Sequence, residues 1–410
     1  MSSTARCIPR RGPFVFRPRG WLTALLLTVA TSCHEAPPHP PPPARAPPPL
    51  GPAQVRAAFP EGVGDPGGWA KDTLAAFADA GLVPDAIRVC GVVAVLQQES
   101  GFQADPPVAN LGTLVRTRLR EEAEKYGPLG PAAMERLLQD SSPGDRRTFD
   151  QRIRRLRTER ELDLLFRDML EAERREHPAM LATANLLDTL FRGRRLEDLN
   201  PVTTAGSMQV SVRWAVEYAR SRGWPDAEES VRDALYTRAG GLRFGVPRLW
   251  GYPLTDGDVL YRFADYNAGQ YASRNAAVQR ALAQLTGLPL AADGDLLVYG
   301  PDGRPTPEDS ETLRAFRVFR ERFVPTLPEA RLRQDLEKGK EQAFEETPSY
   351  LALRRIHRER TGGPLPAAAV PELELKSPKL RRGYTTGAYA RSVLRHHRAC
   401  LQRSRGDSPE

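Results

Sequence analysis

Three short strings hold the residues best suited to chemistry: Glu99-Ser100-Gly101-Phe102, Gly206-Ser207-Met208-Gln209-Val210 and Tyr266-Asn267-Ala268-Gly269. Glu99 ends a run in which Ile87, Val89, Cys90, Val92, Val93, Val95 and Leu96 leave almost no polar face. A carboxyl beside apolar packing has its charged form disfavoured, so it keeps a proton nearer neutrality and can act as a general acid. Tyr266 offers a hydroxyl, and Gln209 and Asn267 offer amides that both donate and accept. The same amides could instead tie down turns. Ser100 suits a hydrogen bond to the backbone at the helix end, and Met208 suits packing against a ligand or the core.

These strings need helices to position them. Residues 69–80 read as a helix stopped at Gly81, and Pro84-Asp85 opens the apolar helix that ends at Glu99. A helix apolar all round belongs in the middle of a domain, and Gly101 is a natural C-terminal cap. Ser211 caps a helix bearing Trp214, Val216 and Tyr218, which Gly223 ends. Another helix precedes Gly240-Gly241, and residues 259–266 form one more. The expected fold class is mainly α.

In this order the three strings resemble those of lytic transglycosylases with a goose-lysozyme-like fold. The resemblance covers roughly residues 68–106 and 200–287. It implies a lysozyme-like helical core that cleaves the glycosidic bonds of peptidoglycan. Glu99 would be the catalytic acid and base, with Tyr266 near it and Ser100, Met208, Gln209 and Asn267 in contact with the sugar. One carboxylate suits a substrate-assisted route in which the sugar's acetamido group stabilises the oxocarbenium-like centre. Two features depart from the family: about a hundred residues separate the first two strings, and Ser207 stands where leucine is common. The overall plan also resembles an uncharacterised family of Gram-negative outer-membrane lipoproteins.

The departures define the remaining organisation. Residues 107–199 read as a helical insertion between core parts 56–106 and 200–287. Residues 145–176 hold ten arginines and nine acids around Leu162, Leu165, Phe166, Met169 and Leu170, which predicts an amphipathic helix. Residues 288–410 read as a C-terminal extension with a strand over 296–299, helices near 307–322 and 329–346, and a basic tail from Lys376.

Residues 1–32 carry the marks of a signal peptide: a basic start, a ten-residue apolar run and small residues before Cys33. That run is too short for a spanning helix, which needs about 20 residues. The position of Cys33 resembles a bacterial lipoprotein signal, which implies lipidation there and a membrane anchor. Residues 33–55 follow as a proline-rich tether. Five arginines precede Cys33 without any acid, so only +3 of the formal +8 remains beyond it, and nucleic-acid binding loses its support. Cys90 and Cys400 either pair in an oxidising compartment or stay reduced. His396, His397 and Cys400 lack a second ligand pair, so no metal is expected, and no cofactor. Two classes of function remain: a glycan-cleaving enzyme, or a non-catalytic lipoprotein using the same fold to bind glycan or protein.

Overall fold

The computed structural model describes residues 48–405, except 126, 143, 177, 179–199, 225–227, 301–302 and 375–382. The expected signal peptide, Cys33 and the tether as far as residue 47 lie outside these residues. The first part of the core is α1 (Pro52–Ala58), α2 (Pro66–Asp79) and α3 (Ala86–Glu99). Asp85 starts α3 by accepting the Arg88 N–H at 2.9 Å. From Val89 to Leu96 every residue of α3 is buried, as its unbroken apolar run requires.

The insertion contributes α4 (Leu111–Glu124), α5 (Leu129–Gln139), α6 (Phe149–Ile153) and α7 (Glu159–Glu176). The single helix expected over 145–176 is therefore two. Thr148 and Gln151 form a capping box for α6, and Thr158 and Glu161 exchange backbone and side-chain bonds to start α7. Phe149, Ile153, Leu162 and Leu165 join the same hydrophobic core as α3. A fully buried carboxylate secures α7: Asp163 accepts from Asn200 at 2.7 Å, from Arg232 at 3.1 Å, and from Arg167.

The chain then pairs β1 (Thr204–Ala205) with β2 (Val210–Ser211) in antiparallel register, so that residues 206–209 form a tight turn. Next come α8 (Val212–Ser221), α9 (Glu228–Leu235), α10 (Arg238–Trp250), α11 (Val259–Ala268) and α12 (Ala272–Thr286). Gly240 and Gly241 lie inside α10 rather than in a turn after a helix, because the 206–209 turn rests on that helix. A Cβ on Gly245 would stand 2.1 Å from Met208 Sδ. Gly206 has φ +79°, and a Cβ there would meet the Leu235 carbonyl oxygen at 1.9 Å.

Residues beyond 288 divide in two. A second core gathers Leu282, Leu296, Phe316, Phe319, Leu336, Phe344 and Leu353 from α12, α13 (Glu311–Phe323), α14 (Glu329–Glu337), α15 (Pro348–Thr361) and their connections. The strand expected at 296–299 is a lone bridge between Tyr299 and Pro305. In place of a basic tail stands α16 (Thr386–Arg405), whose Tyr389, Ala390, Val393 and Cys400 return to the first core. It runs along α3, and Cys90 and Cys400 are disulfide-bonded with Cα atoms 5.4 Å apart. Among the described residues no helix is long and apolar enough to cross a membrane.

Two measurements test this packing. Cys400→Ser opens a loop with sequence separation 310 and should cost about 2–5 kcal/mol, lowering the denaturant midpoint under oxidising conditions but not in excess reductant. An equal midpoint in both variants without reductant would show that the bridge does not form. Gly206→Ala combines left-handed backbone with a backbone clash and should cost at least about 2 kcal/mol. A wild-type midpoint for that variant would contradict the close seat of the turn on α9.

Candidate active site

Glu99 ends α3 half-buried, on the wall of a cleft of about 590 Å³. That volume lies within the range of small-ligand sites. Four other parts of the chain complete the walls: the loop 106–110 with Glu159 at the start of α7, Gln209 in the tight turn, Asn267 near the end of α11, and Tyr384 with Tyr389 around the start of α16. The insertion thus lies beside the cleft, where its first residues pair with the segment just before α7. Val108 donates its N–H to the Arg157 carbonyl at 2.7 Å, and Pro107 and Thr158 form an antiparallel bridge.

The Glu99 carboxylate accepts a hydrogen bond from the buried Tyr389 hydroxyl through Oε1. Burial, reinforced by the carboxylate itself, holds the Tyr389 hydroxyl well above the usual phenol range. It therefore stays protonated and donates. Tyr384 stands beside the same carboxylate, its hydroxyl also pushed up by partial burial and by Glu99. Thr386 of α16 donates to Asn267 Oδ1 at 3.0 Å, fastening the end of α11 to the same wall.

The residues expected at the site fall into two groups. Glu99, Gln209 and Asn267 line the cleft, whereas Ser100, Met208 and Tyr266 are buried. Ser100 donates to the Leu96 carbonyl at 3.1 Å. Met208 is fully buried against Gly245. Tyr266 donates its hydroxyl to the Met208 carbonyl at 2.7 Å, linking α11 to the tight turn, and burial together with the nearby Glu99 charge pushes that hydroxyl up, while Tyr389 donates to Glu99. Gln209 adopts φ +48°, and its amide is engaged by protein: Nε2 donates to Glu159 Oε2 at 2.9 Å and to the Gly206 carbonyl at 3.3 Å, and Oε1 accepts from Thr204 at 2.9 Å.

Other ionisable groups near the three strings are structural. Asp265 is fully buried and accepts from the Ser273 N–H at 2.6 Å, the Tyr252 hydroxyl at 3.1 Å and the Tyr271 N–H at 3.2 Å. Burial nevertheless pushes its carboxyl up to about 6. His397 packs edge-on against Phe263, with Nε2 3.0 Å from the Ile87 carbonyl oxygen, and burial lowers its pKa. With Cys400 in the disulfide, that patch holds no ligand set. Among the described residues no cluster of His, Cys, Asp and Glu could hold a metal ion.

Among the cleft residues that went unseen in the sequence are Glu159, Tyr384 and Tyr389. The string Thr158-Glu159-Arg160-Glu161 is a local capping signal that places Glu159 in a first helical turn. Tyr389, Ala390 and Val393 are spaced as one helix face, which is a signal for α16. Neither signal tells which distant residue is met. Glu99 closes α3, where backbone carbonyls point outward, and Glu159 opens α7, where backbone N–H groups do. The cleft therefore presents two carboxylates on opposite kinds of helix end, with amide and phenol donors between the walls. Such a set can give a proton, take one back and hold a polar ligand.

Comparison with known proteins agrees with the extent of this fold. Residues 62–403 match a family described as protein of unknown function, DUF1615, a span that contains the insertion and nearly all of α16. The uncharacterized protein YaiW of Escherichia coli (strain K12) is 34% identical over 348 residues, covering 85% of this chain and 88% of that protein. No solved structure matches. With so much of its length matched, both cleft walls included, the chain belongs to the DUF1615 family.

Proposed function

We propose that this protein is a lipid-anchored peptidoglycan-cleaving enzyme of the lytic transglycosylase type, with Glu99 as its acid and base. The observation that carries the reading is the setting of Glu99: a carboxyl at the end of a buried helix, gripped by the Tyr389 hydroxyl and lining a cleft of about 590 Å³. In this reading Glu99 protonates the oxygen that bridges MurNAc and GlcNAc, and the bond to the anomeric carbon breaks. The acetamido oxygen of the same sugar closes on that carbon. Glu99, now a carboxylate steadied by Tyr389, takes the proton of the sugar's own 6-hydroxyl. That oxygen displaces the acetamido group and closes an anhydro ring, so no water is consumed.

A second reading, a glycan- or protein-binding lipoprotein without turnover, draws on a specific observation. The Gln209 amide and the Tyr266 hydroxyl are both spent on protein partners, so fewer polar groups face a substrate than the three strings suggest. The intact carboxyl of Glu99 and its tyrosine favour the first reading. For the anchor, the support is the apolar run and small residues before Cys33, together with the proline-rich stretch after it. The expected location is the outer membrane, with peptidoglycan glycan strands as the partner and no nucleic acid.

Glu99→Gln keeps size and hydrogen bonding but has no proton to give, so folding should survive while cleavage falls by about 10²–10⁴-fold. Peptidoglycan digests analysed by mass spectrometry should show anhydro-muramic ends with the wild type. Reducing ends would point to hydrolysis, and equal binding without cleavage in both proteins would leave the binding reading. Cys33→Ser should move the protein from the membrane to the soluble fraction. Unchanged partitioning would remove the lipid anchor.

A further inference from the structure

We infer that Glu159, supplied by the insertion, is the group that holds the substrate's acetamido N–H while the bond breaks. The inference rests on the glycan-cleaving reading of Glu99 and deepens it. In a substrate-assisted step the acetamido oxygen forms a bond to the anomeric carbon as the bond to the leaving oxygen breaks, and Glu99 gives its proton to that oxygen. The amide nitrogen then carries positive charge, and its N–H becomes a far stronger donor. A carboxylate accepting that N–H stabilises the charge where it develops, a gain made in the transition state rather than in the bound substrate. When the 6-hydroxyl oxygen displaces the acetamido oxygen, the amide is restored and the hydrogen bond weakens. No proton is transferred to Glu159 and no co-reactant is required.

Among the described residues lining the cleft, the carboxylates are Glu99 and Glu159. Glu99 is occupied with the leaving oxygen, and Glu159 is the second carboxylate bordering that cleft. Its placement is firmly held. Gln209 Nε2 donates to Glu159 Oε2 at 2.9 Å, and Gln209 is itself fixed by Thr204 and the Gly206 carbonyl. The main chain just before Glu159 is pinned by the Val108 to Arg157 hydrogen bond and the Pro107–Thr158 bridge. One turn onward, buried Asp163 fastens α7 through Arg232 and Asn200. A carboxylate has about four acceptor sites, and Glu159 borders the cleft as well as meeting Gln209. The motif glutamine expected on the sugar thus orients the group that meets it.

The test uses the full-length protein in detergent and GlcNAc-thiazoline, a stable mimic of the cyclised intermediate, with chitotetraose as a ground-state probe. Calorimetry should show Glu159→Gln weakening thiazoline binding by about 10–100-fold, the change expected for a hydrogen bond to a charged group. Chitotetraose affinity and melting temperature should stay near wild type, and peptidoglycan turnover should fall in kcat rather than KM. Glu159→Asp keeps the charge and should recover part of the thiazoline affinity, and it reads the same difference if Glu159→Gln fails to fold. Equal thiazoline affinity in wild type and variants overturns the role of Glu159 and leaves Glu99 untouched. Loss of both ligands to the same degree overturns it as well, since the contact would then be uniform. A wild-type protein that binds neither ligand and cleaves nothing overturns the glycan reading and this inference together.

Discussion

The contact between α3 and α16 sets the geometry on which the cleft depends. The two helices run antiparallel: Ile87 meets His397, Cys90 is bonded to Cys400, and Glu99 meets Tyr389. The pair is clasped at both ends, covalently at one and by a phenol–carboxylate hydrogen bond at the other. At about 1.5 Å rise per residue, roughly 14–16 Å of helix lies between the clasps. Val93, Ala390 and Val393 lie in the interval and belong to one buried apolar core. Any sliding of α16 along α3 would strain the covalent clasp, so Tyr389 has little freedom to leave Glu99. The hydroxyl is also buried, and an unpaired buried phenol would cost about 1–3 kcal/mol. Covalent closure, packing and polar satisfaction all favour one register.

The opposite wall is built from different physics. The insertion is rich in charge, although Phe149, Ile153, Leu162 and Leu165 share the core with α3. Beside those apolar contacts it has a buried ionic network. Asp163 is surrounded by Arg232, Arg167 and Asn200, with Arg232 reaching onward to the Val202 carbonyl at 3.1 Å and Glu228 at 3.1 Å. Replacing one partner of such a network leaves an uncompensated charge, so the arrangement specifies position even where its net contribution to stability is small. Gln209 shows the same trade on a smaller scale. Its left-handed backbone costs of order 1 kcal/mol or more, and its side-chain bonds offset that strain, two of them within the β1–β2 hairpin and one joining it to Glu159 of the insertion. A turn strained in this way is stiff, and stiffness is what a wall of a binding cleft needs.

Legibility in the sequence followed the range of the interactions. The limits of α3 were readable because Asp85 caps it through a neighbour three residues away and its burial follows from composition. The Ser211 cap of α8 was readable for the same reason, and it accepts from Trp214 at 3.4 Å. Gly240 and Gly241 were misleading, since glycine in a helix looks like an interruption until a second segment is found resting on it. Here Ser207 rests on Gly241 and Met208 on Gly245, while Gly240 faces the Ala234 carbonyl. α16 was hidden by the arginines interspersed along it, although Tyr389, Ala390 and Val393 share one face. The pairings that shape the cleft join residues 290 apart in one case and 50 apart in the other. No local pattern encodes such a meeting. Composition identified Glu99 as unusual, and tertiary structure identified its company.

Asp265 shows why a raised carboxyl is not itself a mark of function. It lies beside one of the strings that first drew attention, and it is pushed up to about 6. Its shift arises from burial, and its oxygens accept three donors from residues 252, 271 and 273. A group whose folded pKa is raised contributes its stability at low pH and loses it as pH rises toward about 6, so Asp265 is costly at neutrality. The chain retains that cost because without the carboxylate the Tyr271 and Ser273 amides at the start of α12 would be buried and unpaired. Every contact of Asp265 is thus accounted for inside the fold, away from any ligand. Glu99 and Glu159 differ from it in the feature that matters for chemistry, since each carboxylate borders an open cleft. Perturbation points to where the interior is crowded; access decides which of the perturbed or positioned groups can meet a substrate.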